Sequence, residues 1–131
     1  MLVEEITADH YGNQLYSGII KDIKYVPTEA LTPGEKLHTH WNTINAVAKQ
    51  DGKTLEQWAE WWLAGMGRPP IDVLWIGYNG WDLVIKDGHH RYLAAKILKR
   101  PLRVKVEAIN VKVEWIKQFI KHNNEELKNA S

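Results

Sequence analysis

The 131-residue chain has no cysteine, which excludes disulfides, thiolate nucleophiles and cysteine-ligated metals. It also has no Gly-x-x-x-x-Gly-Lys loop, so it is not a P-loop enzyme. With no His-Glu-x-x-His pair either, the common zinc sites fall away. No apolar run approaches the length of a bilayer span, and Met1-Leu2-Val3-Glu4-Glu5 lacks the pattern of a secretory leader. A cytoplasmic protein with no membrane partner is therefore expected. Internal repeats and low-complexity tracts are absent, and nothing suggests a second domain.

What remains is an ordinary globular composition, 44% hydrophobic and 25% charged, in a chain long enough for one domain with a real core. The net charge of +1 hides an asymmetry. Lys86, Arg91, Lys96, Lys99, Arg100, Arg103 and Lys105 share a 20-residue stretch with a single acid, Asp87. That stretch carries +6 and leaves −5 for the rest of the chain. Clustering of this kind is the footprint of a nucleotide or polyanion partner. A domain built mainly for duplex DNA would be more basic overall, so a local anion site is the first reading.

Hydrophobic periodicity sets out the elements. Residues 1–18 offer one short alternation and a turn cluster, Asp9-His10-Tyr11-Gly12-Asn13. Residues 19–26 are rich in β-branched side chains and predict a strand ending at Pro27. Thr32-Pro33-Gly34-Glu35 puts Thr at an N-cap, Pro first and Glu third, predicting a helix to about Gln50. Leu37, Trp41, Ile44, Val47 and Ala48 form its buried face. Thr54-Leu55-Glu56-Gln57 is a second capping box, and the helix behind it runs to Gly65 or Gly67. Its Trp58, Trp61 and Trp62 follow helical spacing, so they read as core rather than as a base-stacking platform. Trp41, Trp58 and Trp61 are expected to pack the two helices on the sheet.

After the connector Arg68-Pro69-Pro70, strands at 71–78 and 81–86 flank Asn79-Gly80, the strongest short hairpin signal. A helix over 92–98, ended by Pro101, leads to a strand at 102–106 with Arg103 and Lys105 outward. The last element is an amphipathic helix from Val113 to about Leu127, with Ile116, Phe119 and Ile120 inward.

Chemistry concentrates at Asp87-Gly88-His89-His90-Arg91, between the apolar strand and the alanine-rich helix. A strand turning through glycine into a helix N-terminus presents free backbone N–H groups and the positive end of a helix dipole. Phosphate is the usual occupant of such a corner. Two imidazoles and a guanidinium add donors suited to phosphate oxygens. The plainer alternative makes Asp87 an N-cap, Gly88 a turn residue and the histidines solvated. A structural zinc is not expected, since His38 and His40 fall on different faces of a helix and the adjacent His89 and His90 diverge, whereas magnesium brought in with a nucleotide is more plausible.

The segment from Pro70-Ile71-Asp72-Val73 to Asp87-Gly88-His89-His90-Arg91-Tyr92-Leu93-Ala94-Ala95 resembles the core of the ParB/sulfiredoxin superfamily. The resemblance covers about residues 19–106 and is specific only at the corner. It implies a single α/β (α+β) domain with a small mixed sheet packed by helices. Within the superfamily the free-serine kinases carry an Asp-Gly-His-His-Arg corner, matched here by residues 87–91. They also place a catalytic glutamate shortly after the first strand, for which Glu35 is the candidate. Sulfiredoxins put a reactive cysteine where His89 stands, so that reductase chemistry is excluded. Chromosome-partitioning ParB proteins bind CTP with a Gly-Glu-Arg-Arg type corner, of which only Arg91 matches. Their appended helix-turn-helix has no counterpart here.

The expected function is thus nucleotide or polyphosphate binding at 87–91 with phosphoryl chemistry, as phosphotransfer or NTP hydrolysis. Gly88, His89, His90 and Arg91 would bind the nucleotide (ATP, ADP or CTP). Glu35, Asp87 and His90 are the catalytic candidates, and Asp87 is the candidate ligand of a magnesium ion. The alternative is a DNA-directed module, either a nuclease or a binding adaptor. A third possibility is a protein-interaction domain with a degenerate corner and a partly exposed tryptophan helix.

Overall fold

The computed structural model describes residues 14–34, 37–66 and 69–130. The turn cluster at 9–13, Glu35 and Arg68 lie outside them. Along the chain the elements are β1 (Leu15–Ile19), β2 (Tyr25–Val26), β3 (Leu31–Thr32), α1 (Leu37–Gln50), α2 (Leu55–Met66), β4 (Ile71–Ile76), β5 (Leu83–Asp87), α3 (His89–Leu98), β6 (Leu102–Lys112) and α4 (Val113–Ala130). Together they make the mixed α/β domain expected, with a six-stranded sheet in the order β1-β6-β4-β5-β3 and β2 beside β6.

Strict alternation makes β6 the longest strand. Leu102, Val104, Val106 and Ala108 are buried, while Arg103, Lys105 and Glu107 point outward. It runs to Lys112 rather than stopping at Val106, because it serves partners on both edges. β4 pairs with it in parallel, with Ile71 opposite Val104 and Trp75 opposite Ala108. On the other edge β1 and then β2 pair antiparallel. The strand expected over 19–26 is therefore two short strands, separated by a turn at Lys21–Asp22 that shifts the pairing along β6 from Glu107 to Arg103.

β4 and β5 form the antiparallel pair, but not through a two-residue turn. A 3-10 turn at Gly77–Asn79 lengthens the connection, and Trp81 and Asp82 fall outside the strand. Trp75 sets this geometry: it is fully buried, and its Nε1 donates to the Gly80 carbonyl at 2.9 Å.

Thr32 is not a helix cap. It pairs in parallel with Val84 in the β3–β5 ladder, and the described part of α1 starts at Leu37. A ladder bond across the sheet outweighs a local capping preference. On α1, Ile44 and Ala48 are buried as expected, but Trp41 and Val47 are exposed. Likewise Trp58 is core while Trp61 lies 57% exposed, with the Lys53 ammonium over its ring. The two helices pack chiefly on α3 rather than on the sheet, so a narrower stripe suffices.

The box at Thr54 forms: the Gln57 amide donates to Thr54 Oγ1 at 3.1 Å, and the Thr54 amide donates to Gln57 Oε1 at 2.9 Å. Thr54→Ala should cost about 1 kcal/mol and lower Tm by roughly 4 °C, readable by thermal denaturation. An unchanged Tm would mean that packing alone holds α2. α3 ends at Leu98 with Lys99 in the left-handed region, before Pro101 is reached. α4 packs against β6 and β2 through Val113, Ile116 and Ile120.

Candidate functional site

β5 delivers Asp87 to the end of the sheet, Gly88 turns the chain, and α3 begins at His89. The residue capping this helix is Gly88, not Asp87. Gly88 sits at φ 104° and offers no side-chain cap. The first helical bond runs from the Tyr92 amide to the Gly88 carbonyl at 3.0 Å. The amides of His89, His90 and Arg91 precede it, so the dipole end is uncapped by any side chain. Around it lies a cleft of about 360 Å³, walled by His40, Trp62, Pro69 and residues 87–91.

The structure brings together residues the sequence keeps far apart. His40, from α1, stacks on His89 with ring centroids 5.1 Å apart. It also meets His90 edge-on at 4.8 Å. His90 in turn contacts Trp62 at 5.3 Å, and Trp62 stacks on the buried Trp58 at 5.7 Å. Rings thus run without a break from the core to the cleft. His89 and His90 do not diverge, as adjacency on a helix suggested; both converge on His40. His40 and Trp62 were not singled out for the site. No local pattern marks His40, whereas Trp62 stands four residues after Trp58, the spacing of a core stripe.

The other end of His89 is fixed by backbone. The Gly34 amide donates to its Nε2 at 3.1 Å, so the neutral ring carries its proton on Nδ1. Burial pushes His89 below the ordinary histidine value, His40 pushes the same way, and Asp87 opposes them. Burial likewise lowers His90, followed by His40 and His89. Both imidazoles are held toward the neutral form, and because the Nε2 lone pair of His89 is taken by the Gly34 amide, that ring is left its Nδ1–H to donate. Arg91 is partly committed: its Nη1 donates to the Pro69 carbonyl at 2.6 Å, and both residues line the cleft.

The lowered values carry a stability consequence. Between the native values and about 6.5 the unfolded chain binds more protons than the folded one, so stability falls as pH drops through that window. Above it these groups contribute no slope. Urea denaturation between pH 7.5 and 5 should show this fall, and replacing both His89 and His90 with Gln should flatten it. An equally steep fall in the double variant would place its origin elsewhere.

Asp87 is exposed, lines the cleft, and pairs in register with Asp72, which itself neighbours Lys105. Among the described residues, no group of three or more His, Cys, Asp or Glu side chains could hold a metal ion. Glu35 lies outside the described residues.

The basic stretch is not one face. Arg100 pairs with Glu60 at 2.5 Å, and the Lys96 ammonium lies 5.8 Å from the Tyr92 ring centroid. Arg103 and Lys105 project from β6 into a separate cleft of about 650 Å³ that also holds Lys21 and Lys24. No helix among the described residues is long and apolar enough to cross a membrane.

Comparison with protein-family models, curated proteins and solved structures finds no match to the chain. The likeness of the corner to the ParB/sulfiredoxin superfamily therefore rests on its motif.

Proposed function

We propose that the cleft at residues 87–91 binds the phosphates of a nucleotide or another polyphosphate and carries out phosphoryl chemistry there. The observation that carries this reading is the uncapped N-terminus of α3 opening into a cleft with three imidazoles and one guanidinium. The amides of His89, His90 and Arg91 would take phosphate oxygens, and Arg91 would offset their charge. His89, anchored by Gly34, would donate from Nδ1. His90, closer to neutral than an ordinary histidine, would serve as the proton acceptor. Glu35 remains a candidate base to be tested by substitution.

Magnesium supplies charge neutralisation when it arrives with a nucleotide, and it needs few protein ligands. Asp87 is the one carboxylate lining the cleft among the described residues, and it would be that ligand. A thermal-shift panel of ATP, ADP, CTP and GTP, each with and without magnesium, tests the reading. A ligand at a hundred times its Kd adds about 2.7 kcal/mol, or roughly 10 °C at this size. No shift with any nucleotide would refute it.

The second cleft favours a second reading, a DNA-directed module. Lys21, Lys24, Arg103 and Lys105 line it beside the half-exposed ring of Tyr25, a combination suited to single strands. That reading predicts DNA affinity falling steeply with salt. A flat salt response would remove it.

A further inference from the structure

The apolar stripe of α1 is only half covered. Ile44 and Ala48 are buried, but Trp41, an intended core position by periodicity, stays 36% exposed. With Leu37, one turn before it, Trp41 forms one wall of a groove of about 640 Å³. Leu93 and Ile97, one turn apart on α3, form the other, and His38 and Lys96 complete the lining. None of these residues lines the cleft at 87–91, so the groove is a separate place on the same two helices.

Three features distinguish it from an ordinary hollow between helices. Small-molecule pockets measure roughly 300–1,000 Å³ and are mainly apolar with a few polar groups, and the groove has that size and that lining. Trp41 alone among the seven tryptophans meets no other aromatic ring among the described residues; the other six are all packed on rings. Its indole is therefore available to a ligand. Lys96, at an exposed position, pairs with no carboxylate among the described residues, and no Asp or Glu among them lines the groove. The ammonium has only the distant Tyr92 ring, 5.8 Å to the centroid.

We propose that the groove between α1 and α3 binds a small amphiphilic carboxylate of the fatty-acid type. Its chain would lie along Trp41, Leu93 and Ile97, where each methylene leaves water. Its carboxylate would meet the Lys96 ammonium. A neutral amphiphile would leave that cation unanswered and a cationic one would be repelled by it. A phosphate-rich ligand would find too few donors along apolar walls. The site does not depend on the reading proposed for the cleft at 87–91.

The test is a nuclear magnetic resonance titration of the whole chain with octanoate, and with octanol as its neutral counterpart, both below the concentrations at which they aggregate. The indole signal of Trp41 and the methyl signals of Leu37, Leu93 and Ile97 should shift saturably, with octanoate binding more tightly than octanol. Lys96→Gln should weaken octanoate about fivefold, the worth of an exposed ion pair, and leave octanol unchanged. Trp41→Ala should weaken both. No saturable shift of these signals, or a preference for octanoate that survives in Lys96→Gln, would overturn the proposal. Movement of the same signals on diluting the protein alone would give the groove to a second copy of the chain and overturn it equally.

Discussion

Gly88→Ala is expected to destabilise the protein more than any other single methyl group added at the corner. The residue sits at φ 104°, where a side chain costs about 1–2 kcal/mol. The new methyl would also land inside the Ile71 side chain, with the Arg91 guanidinium 3.3 Å away. Ile71 is fully buried at the start of β4 and cannot move without disturbing its pairing with β6. Overpacking of this kind adds a further 1–3 kcal/mol or so. The combined loss is about 2–5 kcal/mol, which lowers Tm by roughly 8–20 °C. Gly52→Ala is the matched control, because Gly52 also has a positive φ, 67°, but its methyl would meet nothing within 4 Å. It should lose only the backbone cost, about 1–2 kcal/mol. Equal losses in the two variants would show that Ile71 does not press on the corner.

Arg91→Ala and His90→Ala should each reduce nucleotide affinity by about one to two orders of magnitude, the worth of a hydrogen bond to a charged group. The two differ in what else they disturb. Arg91→Ala also releases the Pro69 carbonyl, whereas His90→Ala removes ring contacts with His40 and Trp62. Arg91→Lys separates charge from geometry: a lysine keeps the charge but cannot span phosphate and carbonyl with a planar fork. Its affinity should fall between wild type and the alanine variant. Isothermal titration with ATP or CTP in the presence of magnesium reads all three. Unchanged affinity in Arg91→Ala would remove the guanidinium from the site.

Much of the fold was legible where one interaction decides the outcome locally. Alternation in β6, the reciprocal box at Thr54 and the apolar stripe of α4 each leave an uninterrupted pattern. β1 left none, since Leu15-Tyr16-Ser17-Gly18-Ile19 carries a serine and a glycine and pairs with a bulge. Thr32 satisfied a helix-capping pattern, yet it was taken by a strand partner 52 residues away, Val84. The site divides in the same way. The corner at 87–91 is contiguous and announces itself, whereas His40 arrives from α1 and Trp62 from α2 through tertiary packing. Periodicity also over-counted burial: a helix resting on another helix hides a narrower stripe than one lying on a sheet, which leaves Trp41 and Trp61 outside.

The most direct measurement is a backbone amide titration of the ¹⁵N-labelled protein with a magnesium nucleotide. If phosphate sits on the N-terminus of α3, the amides of Gly88, His89, His90 and Arg91 shift first and furthest, followed by the ring signals of His40. Saturable binding that leaves those four amides in place, while signals at Lys21, Lys24 and Lys105 move, would contradict the assignment and put the anion in the second cleft.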